Sequence, residues 1–276
     1  PAAGDAGGSL GAALGLWHIE LKKNRTINSK DSMNGSYLGP EYSQDEVEKK
    51  LKELGTNFEV LDDEQLIEKT ALELSNGKAV GWFQGRMEFG PRALGCRSIL
   101  GDARSITMQK NLNLKVKYRE SFRPFAPIVL KEKVSKWFSF NGSSPYMLLV
   151  SHIKDEKKLK VEEKKYKGLQ KLYLKRSVIP AVTHVDYSAR IQTVNPANNS
   201  RYYQLIKHFE ALTGCGVLIN TSFNVRGEPI VNTPENAFKC FMGTEIDILV
   251  IENCLLRKEK QNTSLKIDYS NKYELD

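Results

Sequence analysis

Three arginines, Arg86, Arg92 and Arg97, stand in the stretch RMEFGPRALGCRSIL, among glycines and a proline and directly after the apolar run Ala79 to Phe83. A second stretch, NLNLKVKYRESFRPFAPIVL from Asn111 to Leu130, carries Lys115, Lys117, Arg119 and Arg123 within nine positions. If this segment is extended, Lys115, Lys117 and Arg119 alternate onto one face. Three cations on one face need a polyanion or a set of carboxylates, and Glu120 alone does not suffice. A third, IPAVTHVDYSARIQTV, places Thr183, His184, Asp186, Arg190 and Gln192 between hydrophobic residues. The fourth, GVLINTSFNVRGEPIV, ends an apolar run in Asn220-Thr221-Ser222 and then Asn224. Hydroxyls and amides just past a strand's C-terminal end are where open α/β sheets bind ligands. Arginine suits forked recognition of phosphate and carboxylate, while lysine acts as a point charge. Together these stretches suggest a phosphate-rich small ligand held by side-chain cations, with charge stabilisation as the catalytic device.

Each stretch also has a plainer reading. Arg86, Arg92 and Arg97 would pair with Glu88 and Asp102 on the surface; His184 beside Asp186 would be a hydrogen-bonded structural histidine. TSFN would be a polar turn. Neither GxGxxG nor GxxxxGK[ST] occurs, and Cys96, Cys215, Cys240 and Cys254 lack the close spacing of a metal or redox motif, which points to buried free thiols.

The elements that would carry these residues alternate. Asp5 to His18 reads as a tightly packed Gly/Ala-rich helix and Leu21 to Gly39 as a linker. Ser43 with Glu46, Asp62 with Gln65, and Thr233-Pro234-Glu235 signal helix starts. Arg201 to Leu212 is an amphipathic helix stopped near Gly214. Strands are expected over Lys78–Phe83, Phe125–Leu130, Met147–Ile153, Ile191–Val194, Gly216–Asn220 and Ile246–Ile251. This alternation predicts an α/β open sheet.

With 276 residues the chain suits one large domain or one and a half. The net charge of +8 gathers largely in the lysine-rich Lys154–Arg176, expected to be a solvated insertion spanning 152–177. No apolar run reaches the ~18 residues of a membrane span, so a soluble protein is expected. The opening PAAGDAGGSLGAALGLW reads like the middle of a fold, and the chain is therefore expected to be a fragment; the tail from 261 to 276 is expected to fray.

The motifs GWFQGRMEFGPRALGCRSIL, NLNLKVKYRESFRPFAPIVL, PAVTHVDYSARIQTV and NTSFNVRGEPIVNTPENAF, in this order, resemble the C-terminal region of the O-carbamoyltransferases of the nodulation and antibiotic-tailoring type, over roughly Lys78 to Leu255. The region is similar, more distantly, to YrdC-like carbamoyl-adenylate-forming domains. Their lysine-x-arginine motif is matched by Lys117-Tyr118-Arg119 and their serine-x-asparagine motif by Ser222-Phe223-Asn224. The resemblance implies a YrdC-like open twisted sheet over 77–260, preceded by a helical linker over 31–76. Residues 1–30 would be the remnant of a sugar-kinase/actin-like acceptor domain.

By the same resemblance, the chain would form carbamoyl-adenylate from carbamoyl phosphate and ATP, with Mg, in the cytoplasm. An N-terminal domain in cis would pass the carbamoyl group to an acceptor hydroxyl with the help of a divalent metal. Lys117, Arg119 and Arg190 would neutralise the two substrates, and His184 would position them or move a proton. Arg86, Arg92, Lys115, Arg123, Thr183, Ser222 and Asn224 would bind them. Asp5 matches an acidic ligand position, yet no metal is expected here without its histidine partners. Cys96 departs from the family's Asn, and a thiol is a poor substitute for an amide. A threonylcarbamoyl-adenylate synthase acting in tRNA modification stands as the alternative, opposed by GDAGGSLGAAL. An RNA-binding module stacking on Tyr118 and Phe122 is a second one; nucleic acid and membrane are otherwise not expected partners.

Overall fold

The computed structural model describes residues 5–27, 31–162 and 165–269. Nine strands form one mixed sheet in the order β1-β9-β8-β2-β3-β7-β4-β6-β5. They are β1 (Glu59–Val60), β2 (Val80–Phe83), β3 (Arg97–Asp102), β4 (Ala126–Leu130), β5 (Leu149–His152), β6 (Ser188–Val194), β7 (Val217–Ser222), β8 (Ile248–Ile251) and β9 (Cys254–Arg257). The central strands VGWF, APIVL and ILVI are buried along their whole length. Continuous apolar runs of this kind belong to strands covered on both faces.

Helices α1 (Gly8–Gly15), α2 (Gln44–Glu53), α3 (Asp63–Ser75), α4 (Met108–Lys115), α5 (Val134–Trp137), α6 (Ser200–Thr213) and α7 (Pro234–Gly243) complete the α/β fold. The expected capping signals are present. The Ser43 hydroxyl accepts the Glu46 amide, Asp62 accepts that of Gln65, and Thr233 that of Asn236. Gly214 ends α6 in the left-handed conformation. α3 and α6 pack on each other over β2, β3, β4 and β7, and α7 lies on β2 and β8.

Several expectations change. Arg97 to Asp102 is a fully buried strand in the middle of the sheet, although the sequence reads there as a charged loop. Asn111 to Lys115 is helical, so the proposed extended face of cations does not exist. The N-terminal helix is not tightly packed, since none of α1 is buried. The end of the linker is tied to the loop after β2: Gly39 N donates to Met87 O at 2.9 Å, and Met87 N to Pro40 O at 2.9 Å. Within the lysine-rich segment, a Lys158–Ser177 bridge closes the chain on itself, and Arg176 is buried. The tail is folded as far as it is described, because the Tyr269 ring fills the space where a Gly243 Cβ would stand. Among the described residues, no helix is long and apolar enough to cross a membrane.

Candidate active site

The strand β7 ends at Ser222, and three loops converge on that end. They build a cleft of about 300 Å³ lined by Arg92, Arg119, Arg123, Arg190, Asn220, Thr221 and Ser222, with Pro91, Ala93, Phe125 and Met147 among its apolar walls. No carboxylate is part of the lining. Four guanidinium groups with no acid between them repel one another, and the effect is visible on two. Burial and the nearby charge of Arg92 hold Arg190 below the usual arginine range. Burial and Arg123 bring Arg119 down to about 10. Such a concentration of positive charge attracts anions, most strongly those of more than one charge.

Local structure explains how each cation arrives. Pro91 follows Gly90, whose φ is +113°, and Arg92 comes next in the loop between β2 and β3. Gly95 also has φ +113°, and the Tyr202 ring passes 2.2 Å from where its Cβ would stand, so only glycine fits there. Glu88 is buried below this segment; its Oε1 accepts the amides of Leu94 and Cys96, each at 2.7 Å. Arg190 projects from the middle of β6. Arg119 Nε donates to Asn113 Oδ1 at 2.7 Å, and its guanidinium lies 5.0 Å from the Phe125 ring centre. The buried Asn113 also donates to the carbonyls of Ser121 and Arg123, at 3.2 and 2.7 Å, which shapes the turn bearing both arginines.

Lys117 does not face the cleft, for a backbone reason. Tyr118 has φ +48°, a left-handed conformation that breaks extended alternation and sends its two neighbours apart. Lys117 is 3% exposed. Its Nζ donates to Ser222 O, to Asn224 O at 2.9 Å and to Asn224 Oδ1 at 2.7 Å, with Ser222 Oγ at 3.2 Å. Burial, reinforced by the charge of Arg119, pulls its pKa down to about 7. Asn224 is committed to the same knot, accepting from Ser222 Oγ at 2.7 Å and donating to Glu228 O at 2.6 Å. Lys117 and Asn224 therefore shape the loop that presents Ser222.

The remaining candidates lie elsewhere. Lys115 ends α4 and lines a separate hollow with Lys78, Glu245 and Asp247. Arg86 pairs with Glu41 at 3.0 Å and donates to Gly39 O at 3.2 Å, outside the cleft. Arg97 is fully buried with its guanidinium 3.5 Å from the Phe83 ring centre; Nη1 donates to the carbonyls of Gln84, Gly85 and Cys96, and Nη2 to that of Pro40. His184 and Thr183 line a neighbouring hollow with Phe122 and Asp186, joined to the cleft wall at Pro124. Burial holds His184 below its usual value, which leaves the ring neutral at neutral pH. The Thr183 hydroxyl donates to Ile179 O at 2.8 Å. Cys96 is buried and burial pushes its thiol up, so it is not a nucleophile. The Asp5 side chain lies outside the described residues. Sequence reasoning missed Glu88 and Asn113 as supports. The signal available was a polar residue flanked by apolar ones, which must find partners once buried.

Residues 71–258 match the family model described as Carbamoyltransferase C-terminus. An uncharacterized protein of Synechocystis sp. is 57% identical over 95% of this chain and 43% of its own length. Nodulation protein NolNO of Sinorhizobium fredii is 38% identical over 94% of the chain and 35% of its own length. The 3'-hydroxymethylcephem-O-carbamoyltransferase of Streptomyces clavuligerus is 36% identical over 67% of the chain and 32% of its own length. The chain thus spans less than half the length of these relatives. It belongs to the carbamoyltransferase family, whose C-terminal part it matches across two thirds of its residues.

Proposed function

We propose that the arginine cleft binds carbamoyl phosphate and ATP and forms carbamoyl-adenylate, for transfer to the hydroxyl of an acceptor. The observation that carries this reading is the convergence of Arg92, Arg119, Arg123 and Arg190 beside Ser222, with no carboxylate in the lining. Two polyanionic substrates repel each other in water; four fixed cations offset that repulsion and bring them within reach. Carbamoyl phosphate and ATP, with one water, would give carbamoyl-adenylate, phosphate and pyrophosphate. Arginine stabilises the charge that builds on the phosphate oxygens as those bonds break.

Ser222 and Thr221, at the end of β7, would orient the phosphates by hydrogen bonding. His184, one wall away in the neighbouring hollow, would accept a proton rather than add positive charge. No cluster of His, Cys, Asp or Glu suited to a metal occurs among the described residues. Mg would therefore enter on the ATP phosphates. In relatives the chain corresponds to less than half of the protein. Acceptor binding and carbamoyl transfer are accordingly assigned to a domain in cis, in a cytoplasmic enzyme.

Isothermal titration with ATP and with carbamoyl phosphate tests the reading. The chain should bind both, and Arg190→Ala should weaken carbamoyl phosphate binding by about 10- to 100-fold, the effect of one lost charge-assisted contact. Absence of binding by the unmodified chain, or unchanged affinity in Arg190→Ala, would overturn it.

A further inference from the structure

Where Asn220 lines the cleft, two buried amides meet. Gln192 is 2% exposed and lies on β6 two residues after Arg190; Asn220 is 1% exposed and lies on β7 two residues before Ser222. The two-residue period of a strand puts Gln192 on the same face as Arg190, and Asn220 on the same face as Ser222. Asn220 Nδ2 donates to Gln192 Oε1 at 2.6 Å and to Ala93 O at 3.0 Å. Gln192 Nε2 donates to Leu94 O at 2.9 Å. Loop carbonyls only accept, so each amide must turn its N–H toward the loop, which orients both side chains.

The bridge crosses a strand. β4 runs between β7 and β6, and its Ala126 is the register partner of Asn220. Gln192 pairs with Ile128, two residues further along β4, so the amides meet diagonally over β4, past the small Ala126, across two strand spacings of roughly 4.8 Å each. Ala93 is the neighbour of Arg92 in sequence. One amide pair therefore ties together the three elements that carry Arg92, Arg190 and Ser222.

We infer that Gln192 and Asn220 are positioning residues that hold the Arg92 loop at a preset distance from Arg190 and Ser222. The inference rests on the anion-binding reading of the cleft. In the empty cleft Arg92 and Arg190 repel, and without an anchor the loop would swing outward and have to be gathered in by the ligand. Ordering it beforehand removes that entropic cost from binding. The anchor grips the loop by its carbonyls, while Glu88 grips the amides of Leu94 and Cys96 from the other side.

A double-mutant cycle read by titration with inorganic pyrophosphate tests this. Gln192→Met keeps the side-chain volume, and Leu94 O retains the Tyr37 hydroxyl at 3.0 Å, so no loop carbonyl is orphaned. Gln192→Met should raise the pyrophosphate Kd about tenfold. In an Arg92→Ala background the same change should add less than about twofold, because residues acting through one another are not additive. A role confined to stability would not produce that coupling. If Gln192→Met fails to fold, Gln192→Leu, which also removes the amide without entering the cleft, should give the same cycle. Unchanged affinity in the single variant, or a full tenfold loss in the Arg92→Ala background, would overturn the inference. Failure of the unmodified chain to bind pyrophosphate would instead overturn the anion site itself, and the inference with it.

Discussion

Arg92 and Arg97 sit five residues apart in one segment and have opposite fates. Arg97 is enclosed, with its Nη atoms given to four backbone carbonyls and its plane against Phe83. Arg92 stands in an open cleft with three other guanidinium groups. Lys117 and Arg119 repeat the contrast across a single residue, since Lys117 knots the loop behind Ser222 and Arg119 lines the cleft. A cation whose donors are spent on backbone oxygens shapes the protein. One surrounded by like charge is available to an anion. The two sets are coupled, because the interior cations hold the loops from which the cleft cations project.

The largest expected effect is on the interior side. Arg97→Met takes the guanidinium donors from the carbonyls of Gln84 and Gly85, leaves those of Cys96 and Pro40 with only their backbone donors Gln84 N and Met87 N, and leaves the buried Glu88 without a countercharge; it should lower unfolding stability by about 3–5 kcal/mol in urea. A variant as stable as the parent would erase the distinction between the sets. Lys117 sharpens the comparison through pH. Its folded pKa of about 7 lies below the 10.5 of an ordinary lysine, so between these limits the unfolded chain holds the extra proton. Lys117 therefore contributes stability that grows as pH rises from 7 and is lost as pH falls through 7, by at most about 1.4 kcal/mol per unit. Against Lys117→Met, urea unfolding from about pH 7 to pH 9 should show the parent gaining. A difference independent of pH would mean that the four surrounding oxygens keep the ammonium charged. The smallest effect belongs to Arg86, whose partner Glu41 is also half exposed. Arg86→Ala should change stability by less than about 1 kcal/mol and leave ATP binding unaltered. A loss of ATP affinity would move Arg86 into the ligand-bearing set.

Much of the fold is legible in the chain. Capping boxes, apolar runs and the glycine stop after α6 place most helices and strands, because these are local hydrogen-bonding and burial preferences. The strand Arg97–Asp102 is not legible, since its charged ends make RSILGD look like surface; only the enclosing carbonyls and the Phe83 ring allow an arginine to begin a buried strand. The same limit applies to KVKYR, where a left-handed Tyr118, its hydroxyl donating to Gly243 O at 2.9 Å, separates side chains that alternation would place together.

The sequence by itself determined that arginine, lysine and hydroxyl residues cluster around apolar strands, and the order of its motifs was enough to indicate the family. Which cations line the cleft was decided by tertiary structure alone. Charge is written in residue type, but availability depends on whether distant carbonyls have already taken the donors, and that pairing exists only when the sheet and its loops are assembled.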